Sequence, residues 1–180
     1  MKTKALYLLI LAMIAGCASV TPMRYYTLDM TPSAQVHPTL NLTVDRIRTA
    51  ESLARKDIQI AITPTEIEYY AADQWAANLS ELVREKLAAE FGPALDDRRT
   101  LLLSGLILSF GQVDLPGGDA EGHVRLRLEF SEERYQPALL EKVYEARAPA
   151  DTPSAPAVVH ALSRCLEIIA AQIAEDAAAL

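Results

Sequence analysis

This sequence predicts an α+β fold: a mostly antiparallel β-sheet with two α-helices packed on one face. Three observations lead there. Runs with an apolar residue at every second position, such as Val124, Leu126, Leu128 and Phe130 between Arg125, Arg127 and Glu129, have the period of half-buried strands. Two longer stretches carry their apolar residues at helical spacing instead. The order is strands, helix, strands, helix, with hairpin-length connections that leave few crossover helices.

The elements follow in chain order. Arg24-Tyr25-Tyr26-Thr27-Leu28-Asp29 is rich in aromatic and β-branched residues and reads as the first strand. Met30 to Pro38, with two prolines, is a loop. Leu40, Leu42 and Val44 alternate with Asn41, Thr43 and Asp45, again a half-buried strand, and Ala50 to Lys56 admits a short helical turn. Ile58, Ile60 and Ile62, the turn Thr63-Pro64-Thr65, and Ile67 and Tyr69 form a hairpin with its proline in the turn. Asp73 can cap a helix that runs to Phe91 and stops at Gly92-Pro93, burying Trp75, Leu79, Leu82, Val83, Leu87 and Phe91. Leu101 to Val113 is apolar on both parities, as a central strand is, and Asp114 to Glu121 is a loop. Val124 to Phe130 pairs with Leu140 to Arg147. A proline-rich connection spans 148–157, and a final helix over 156–178 carries Val159, Leu162, Leu166, Ile169 and Ile173 as one narrow seam.

The N-terminus has a different character. Lys2 and Lys4 precede an unbroken apolar run, Ala5 to Ile14, which is too short for a permanent span of about 20 residues and has the build of an export signal. It ends in Ile14-Ala15-Gly16-Cys17, which resembles a bacterial lipobox. That resemblance implies a Cys17 bearing diacylglycerol and, after cleavage, an N-acyl chain. An ordinary signal peptide with an incidental Cys17, or a plain N-terminal anchor, are the alternatives. Two acyl chains already hold a protein stably on a membrane, at about 0.8 kcal/mol per buried CH₂. Ala18, where inner-membrane retention in many Gram-negative bacteria uses Asp, resembles an outer-membrane address. The expected organisation is a signal over 1–16, a lipidated tether over 17–23 and one domain over 24–180.

Composition narrows the function. Without Lys2 and Lys4, 15 basic residues face 24 acidic ones, a formal charge of −9. Such a surface repels phosphate backbones and argues against nucleic-acid binding. With Cys17 lipidated, Cys165 has no partner and is expected to be a small buried hydrophobe. His37, His123 and His160 are scattered, and neither a metal-ligand spacing nor a nucleophile elbow is present. Leu115-Pro116-Gly117-Gly118 lacks the lysine and helix of a phosphate loop, and Glu66 and Glu68 read as a solvated strand face. No catalytic residues, metal or non-covalent cofactor are expected. Tyr25, Tyr26, Tyr70 and Trp75 are the candidate contacts for a partner or a lipid, because aromatics with a polar handle suit interfaces. Core packing of one tyrosine in each pair is the alternative.

Several segments together resemble one family. Arg24-Tyr25-Tyr26-Thr27-Leu28-Asp29 after a lipobox, Leu53-Ala54-Arg55-Lys56-Asp57-Ile58-Gln59-Ile60, Glu68-Tyr69-Tyr70 leading to Asp73-Gln74-Trp75-Ala76, and Gly122-His123-Val124-Arg125-Leu126 occur in this order, before an alanine-rich last helix. They resemble the ABC-type transport auxiliary lipoproteins, the family of paraquat-inducible protein C. Ile14, where the lipobox usually has leucine, is a departure of similar size. The resemblance implies a non-catalytic lipoprotein on the periplasmic side of the outer membrane, serving lipid transport and outer-membrane integrity. Its implied partners are a mammalian-cell-entry (MCE) domain protein with an ABC permease and ATPase, and such ring-shaped partners favour a homo-oligomer. The alternative is an outer-membrane assembly lipoprotein, a scaffold or plug for a β-barrel protein.

Overall fold

The computed structural model describes residues 21–32 and 40–180. Ile14, Ala15, Gly16, Cys17 and Ala18 lie outside these residues, as does His37. The elements are β1 (Arg24–Tyr26), β2 (Leu40–Thr49), a 3-10 turn (Glu51–Leu53), β3 (Asp57–Thr63), β4 (Glu66–Trp75), α1 (Leu79–Phe91), β5 (Arg99–Asp114), β6 (Ala120–Ser131), β7 (Leu140–Ala150) and α2 (Ala155–Ala178). The architecture is α+β in one domain.

β5 organises the sheet. It has neighbours on both edges, and at 16 residues it is long enough for two partners on one of them. β6 pairs along one edge from Leu102 to Asp114. The other edge takes β2 beside Arg99 to Ile107 and β3 beside Gly111 to Val113. The strand order is β1-β4-β3-β5-β6-β7, with β2 added at β5. The long ladders of β5, β6 and β7 and the β3–β4 hairpin are antiparallel, as expected. β2 and β3 join β5 in parallel, and so does β1 with β4, which makes the sheet mixed. For β2 and β3 the physical reason is α1: it lies between β4 and β5 in the chain and is part of the crossover that their parallel pairing with β5 requires.

Both helices pack on the same face. α1 covers β2, α2 covers β5, β6 and β7, and the helices touch each other. Leu101, Leu103, Ile107 and Phe110 of β5 and Val124, Leu126, Leu128 and Phe130 of β6 are fully buried there. They meet the expected seam of α2, where Leu162, Leu166, Ile169 and Ile173 are fully buried and Val159 nearly so. Each such side chain contributes roughly 1.5–3 kcal/mol. By length and composition α2 could cross a membrane, but 56% of that stretch is buried in the protein. It is the core helix. Among its buried residues is Cys165, a free cysteine whose Sγ lies 3.3 Å from the Gly122 carbonyl oxygen and whose thiol burial pushes up to about 11. Ellman's reagent is therefore expected to label Cys165 only as fast as the protein unfolds. Immediate labelling of the native chain would contradict this placement.

Three boundaries differ from the sequence expectation. The first strand stops at Tyr26 instead of Asp29, because Leu28 and Met30 turn inward to the core and the Asp29 N–H donates to Ser163 Oγ at 2.9 Å. Asp73 does not cap a helix. β4 continues to Trp75, and the helix begins at Leu79 behind Asn78. Long-range pairing overrides the local capping signal: Asp73, Gln74 and Trp75 are in register with Arg24, Tyr25 and Tyr26. Residues 148–150 extend β7 instead of forming a connection, and Pro149 is tolerated because β7 is an edge strand. Gly92 ends α1 as expected, at φ +72°, with its N–H on the Ala88 carbonyl.

The end of α2 is tied to β7 by charge. Asp176 accepts hydrogen bonds from Lys142 Nζ and from the buried Tyr144 hydroxyl, both at 2.6 Å. Burial would push the Asp176 carboxyl up, but the two donors outweigh it and hold it below the ordinary carboxylate value. The folded value is depressed, so the stabilisation is present above roughly pH 4 and is lost as the pH falls through the folded value. Urea unfolding of wild type and Asp176→Asn is expected to differ at pH 7 and to converge near pH 3. A gap that persists unchanged in acid would contradict the assignment.

Candidate functional site

No described helix covers the second face of the sheet, and on β6 this face is polar, with Leu106 and Val143 flanking Arg127. β6 presents Glu121, His123, Arg125, Arg127 and Glu129 there, and β7 presents Glu141, Glu145 and Arg147. Opposite charges neighbour one another across the two strands, directly for Arg125 and Glu145 and diagonally for Arg127 with Glu141 and Arg147 with Glu121. Arg125 and Arg147 approach Glu145 at 3.7 and 3.6 Å, Arg127 approaches Glu141 at 3.9 Å, and Arg147 also pairs with Glu121. The His123 hydrogen bond, with the nearby Arg125 and Arg147, outweighs slight burial and holds the Glu145 carboxyl below its usual value. Exposed pairs of this kind are worth about 0–1 kcal/mol each, so the ladder does little for stability. It sets instead what this surface can recognise.

One constellation on this face has the order of a nucleophile, a base and an orienting acid. Ser109 Oγ lies 3.2 Å from His123 Nδ1, and His123 Nε2 lies 2.9 Å from Glu145 Oε1. Its three residues come from β5, β6 and β7, so the two contacts clamp three neighbouring strands together.

The four aromatic candidates have different fates. Trp75 is 1% exposed and packs edge-to-face on Phe110, with ring centroids 5.7 Å apart, so it is a core residue. The Tyr26 hydroxyl donates to Asp73 Oδ1 at 2.8 Å, and Arg24 binds the same, nearly buried carboxylate at 2.7 Å. This pair of contacts fastens β1 to β4. Tyr25, at 63% exposure, presents its ring to solvent. Tyr70 is half-buried, donates to Gln112 Oε1 and is pushed up to about 12 by burial and then by Asp114 and Asp73. It lines a cavity of about 360 Å³ with Ile60, Ile62, Glu68, Leu115 and Pro153. That cavity brings the 114–121 loop together with β3 and β4 near their turn, while Tyr25 pairs with Gln74 at the other end of β4.

A second cavity, of about 290 Å³, was not anticipated. It lies on the open face between β2, β5, β6 and the 132–139 connection, and its lining includes Asp45, Arg46, Arg48, Ser104 and Arg134. A β-bulge creates it. Val44 pairs with Leu103 and Arg46 with Ser104, so Asp45 is the extra residue. The bulge switches the strand's parity, which buries Ile47 and turns Arg46 and Arg48 outward. The signal was in the sequence: Leu40, Leu42 and Val44 keep one parity and Ile47 breaks it. Among the described residues, no cluster of three or more His, Cys, Asp or Glu could hold a metal ion.

Fold and surface define the class: an α+β domain with one face of a seven-stranded sheet closed by helices and the other, without a helix among the described residues, carrying a ladder of charges. The chain belongs to the family of ABC-type transport auxiliary lipoprotein components, whose family model matches residues 26–174. Its function is accordingly that of an auxiliary lipoprotein component of ABC-type transport. No curated protein matches the sequence. Among solved structures, protein XCC0632 from Xanthomonas campestris, of family DUF330, is similar in fold, with a TM-score of 0.70 at 15% identity over 86% of this chain and 94% of that one. An uncharacterized protein is similar with a TM-score of 0.65 at 16% identity, over 87% of this chain and 99% of that one.

Proposed function

We propose that this chain is the lipid-anchored, non-catalytic component of an MCE-type ABC transporter of phospholipid, held on the periplasmic side of the outer membrane by an acylated Cys17. The family match over residues 26–174 carries this reading, because it spans almost the whole domain behind the signal. The charged open face supports a role in presenting surfaces, and the short apolar run ending in Cys17 supports the anchor. The anchored domain would join an MCE-domain protein and its permease and ATPase to the outer membrane and so contribute to outer-membrane integrity.

The test is an in-cell crosslink of the acylated protein, detergent extraction and mass spectrometry of what is captured. An MCE protein with its permease and ATPase is the expected result. A β-barrel assembly protein in their place would overturn the reading and favour a scaffold role at the barrel. Cys17→Ser is expected to release the protein from the membrane fraction.

A further inference from the structure

The bulge cavity on the open face has features that its surroundings lack. Elsewhere on this face the arginines are matched: Arg125, Arg127 and Arg147 each have a carboxylate. In the cavity Arg134 is matched too, its guanidinium on Asp45, with Nε 3.0 Å from Oδ1. Arg46 and Arg48 have no carboxylate partner among the described residues, and both are exposed. Three guanidiniums therefore face two carboxylates, Asp45 and Glu129, in a chain of formal charge −7. The half-buried hydroxyls of Ser104 and Ser131 add neutral donors, and Leu102 and Gly105 complete the wall.

Two backbone irregularities converge on the same place. The bulge at Asp45 is what aims Arg46 and Arg48 at the cavity. On the other side, Tyr135 is the non-glycine residue with positive φ among the described residues, at +67°, and it is 94% exposed beside the cavity. Backbone in this region costs of order 1–3 kcal/mol, and strain of this sort concentrates where a ligand is held. The Arg134–Asp45 pair fixes this strained connection over the arginines.

We propose that this cavity is an oxyanion site for a phosphate ester, with Arg46 and Arg48 as its charged donors and Ser104 and Ser131 as its neutral ones. Guanidinium groups match phosphate oxygens in geometry and stay charged at every relevant pH. The volume sits at the small end of ligand pockets, about 300–1,000 Å³, so it admits a headgroup and not a whole lipid. The ester is either a soluble organic phosphate or the headgroup of a phospholipid, and the assay separates the two. The inference stands on these residues and survives if the transport partners prove different.

The test uses the full chain in a non-ionic detergent and calorimetric titration with two probes, glycerol 3-phosphate and monomeric dihexanoylphosphatidylglycerol. Binding is expected, and Arg46→Gln combined with Arg48→Gln is expected to weaken it at least tenfold. Both positions are exposed, so the melting temperature of that variant should match wild type, and Arg134→Gln supplies a second variant that loosens the loop instead. Binding of both probes identifies the phosphate ester alone as the determinant, and binding of glycerol 3-phosphate only identifies a soluble organic phosphate as the ligand class. Binding of the lipid only identifies a phospholipid headgroup aided by the apolar wall at Leu102. Absence of binding by both, or binding unmoved by the double substitution, overturns the proposal.

Discussion

Trp75→Ala is expected to lower the unfolding free energy by about 3–5 kcal/mol, the range for emptying a large aromatic site in a core. The indole is buried at the end of β4, edge-to-face with Phe110 of β5 at an interplanar angle of 74°. Such a pair adds roughly 0.5–1.5 kcal/mol beyond the area it buries. The backbone on either side is held as well, with the Trp75 N–H on the Lys56 carbonyl at 2.7 Å and the Ala76 N–H on the Tyr26 carbonyl at 2.8 Å. Removal of the ring therefore leaves a cavity that cannot close without breaking the β1–β4 pairing. For a domain of this size the loss corresponds to a drop in Tm on the order of 10 °C. Urea or thermal unfolding measures it directly. A change below about 1 kcal/mol would mean that the ring is exposed in solution, as a partner-facing residue would be.

Gly105→Ala is the second, and here the sign is informative. In an ordinary strand, alanine is the better residue by roughly 0.5–1 kcal/mol, since glycine loses more conformational freedom on folding. At Gly105 a Cβ would stand 2.1 Å from the Arg127 carbonyl oxygen and 2.8 Å from Leu128 Cδ2. A backbone carbonyl cannot swing aside as a side-chain tip can. β5 and β6 must separate locally, in the middle of the long ladder that carries the core. Overpacking of this kind costs about 1–3 kcal/mol and occasionally more, and the rigidity of the obstacle places Gly105→Ala at the upper end. The expected outcome is a lower urea midpoint and a loss of soluble expression. An unchanged or raised midpoint would show that β5 and β6 lie further apart than the structure has them.

The parts of the fold that were legible in the sequence are those where local periodicity and burial agree. The α2 seam and the alternation of β6 name their buried residues because each element shows one face to the core and the other to water. The β3–β4 turn was legible from Pro64. What local pattern cannot show is pairing across the chain. Asp73 carries a helix-cap signal, yet it is claimed by Arg24 and Tyr26, 49 and 47 residues away. The parallel placement of β2 and β3 depends on which element crosses over, which no strand reveals by itself.

The same division holds for the candidate site. Tyr25 and Trp75 have similar composition signals, but their exposures are opposite because one stands on a short edge strand and the other closes the core. The arginine cavity depends on a one-residue bulge, readable only as a parity break between Val44 and Ile47. The family, by contrast, was legible from the order of several short motifs, and the match over residues 26–174 bears that resemblance out. The expected lipobox ending in Cys17 lies ahead of that match and of the described residues, so labelling with a fatty acid is its proper test.

Phospholipid exchange tests the proposed role most directly. Inner-membrane vesicles carrying the permease, ATPase and MCE protein would be mixed with outer-membrane vesicles carrying this lipoprotein, one population holding a labelled phospholipid. ATP-dependent exchange is expected with the acylated protein and is expected to fall to the ATP-free level when it is omitted or replaced by Cys17→Ser. Exchange that proceeds at the full ATP-dependent rate without the lipoprotein would contradict the account.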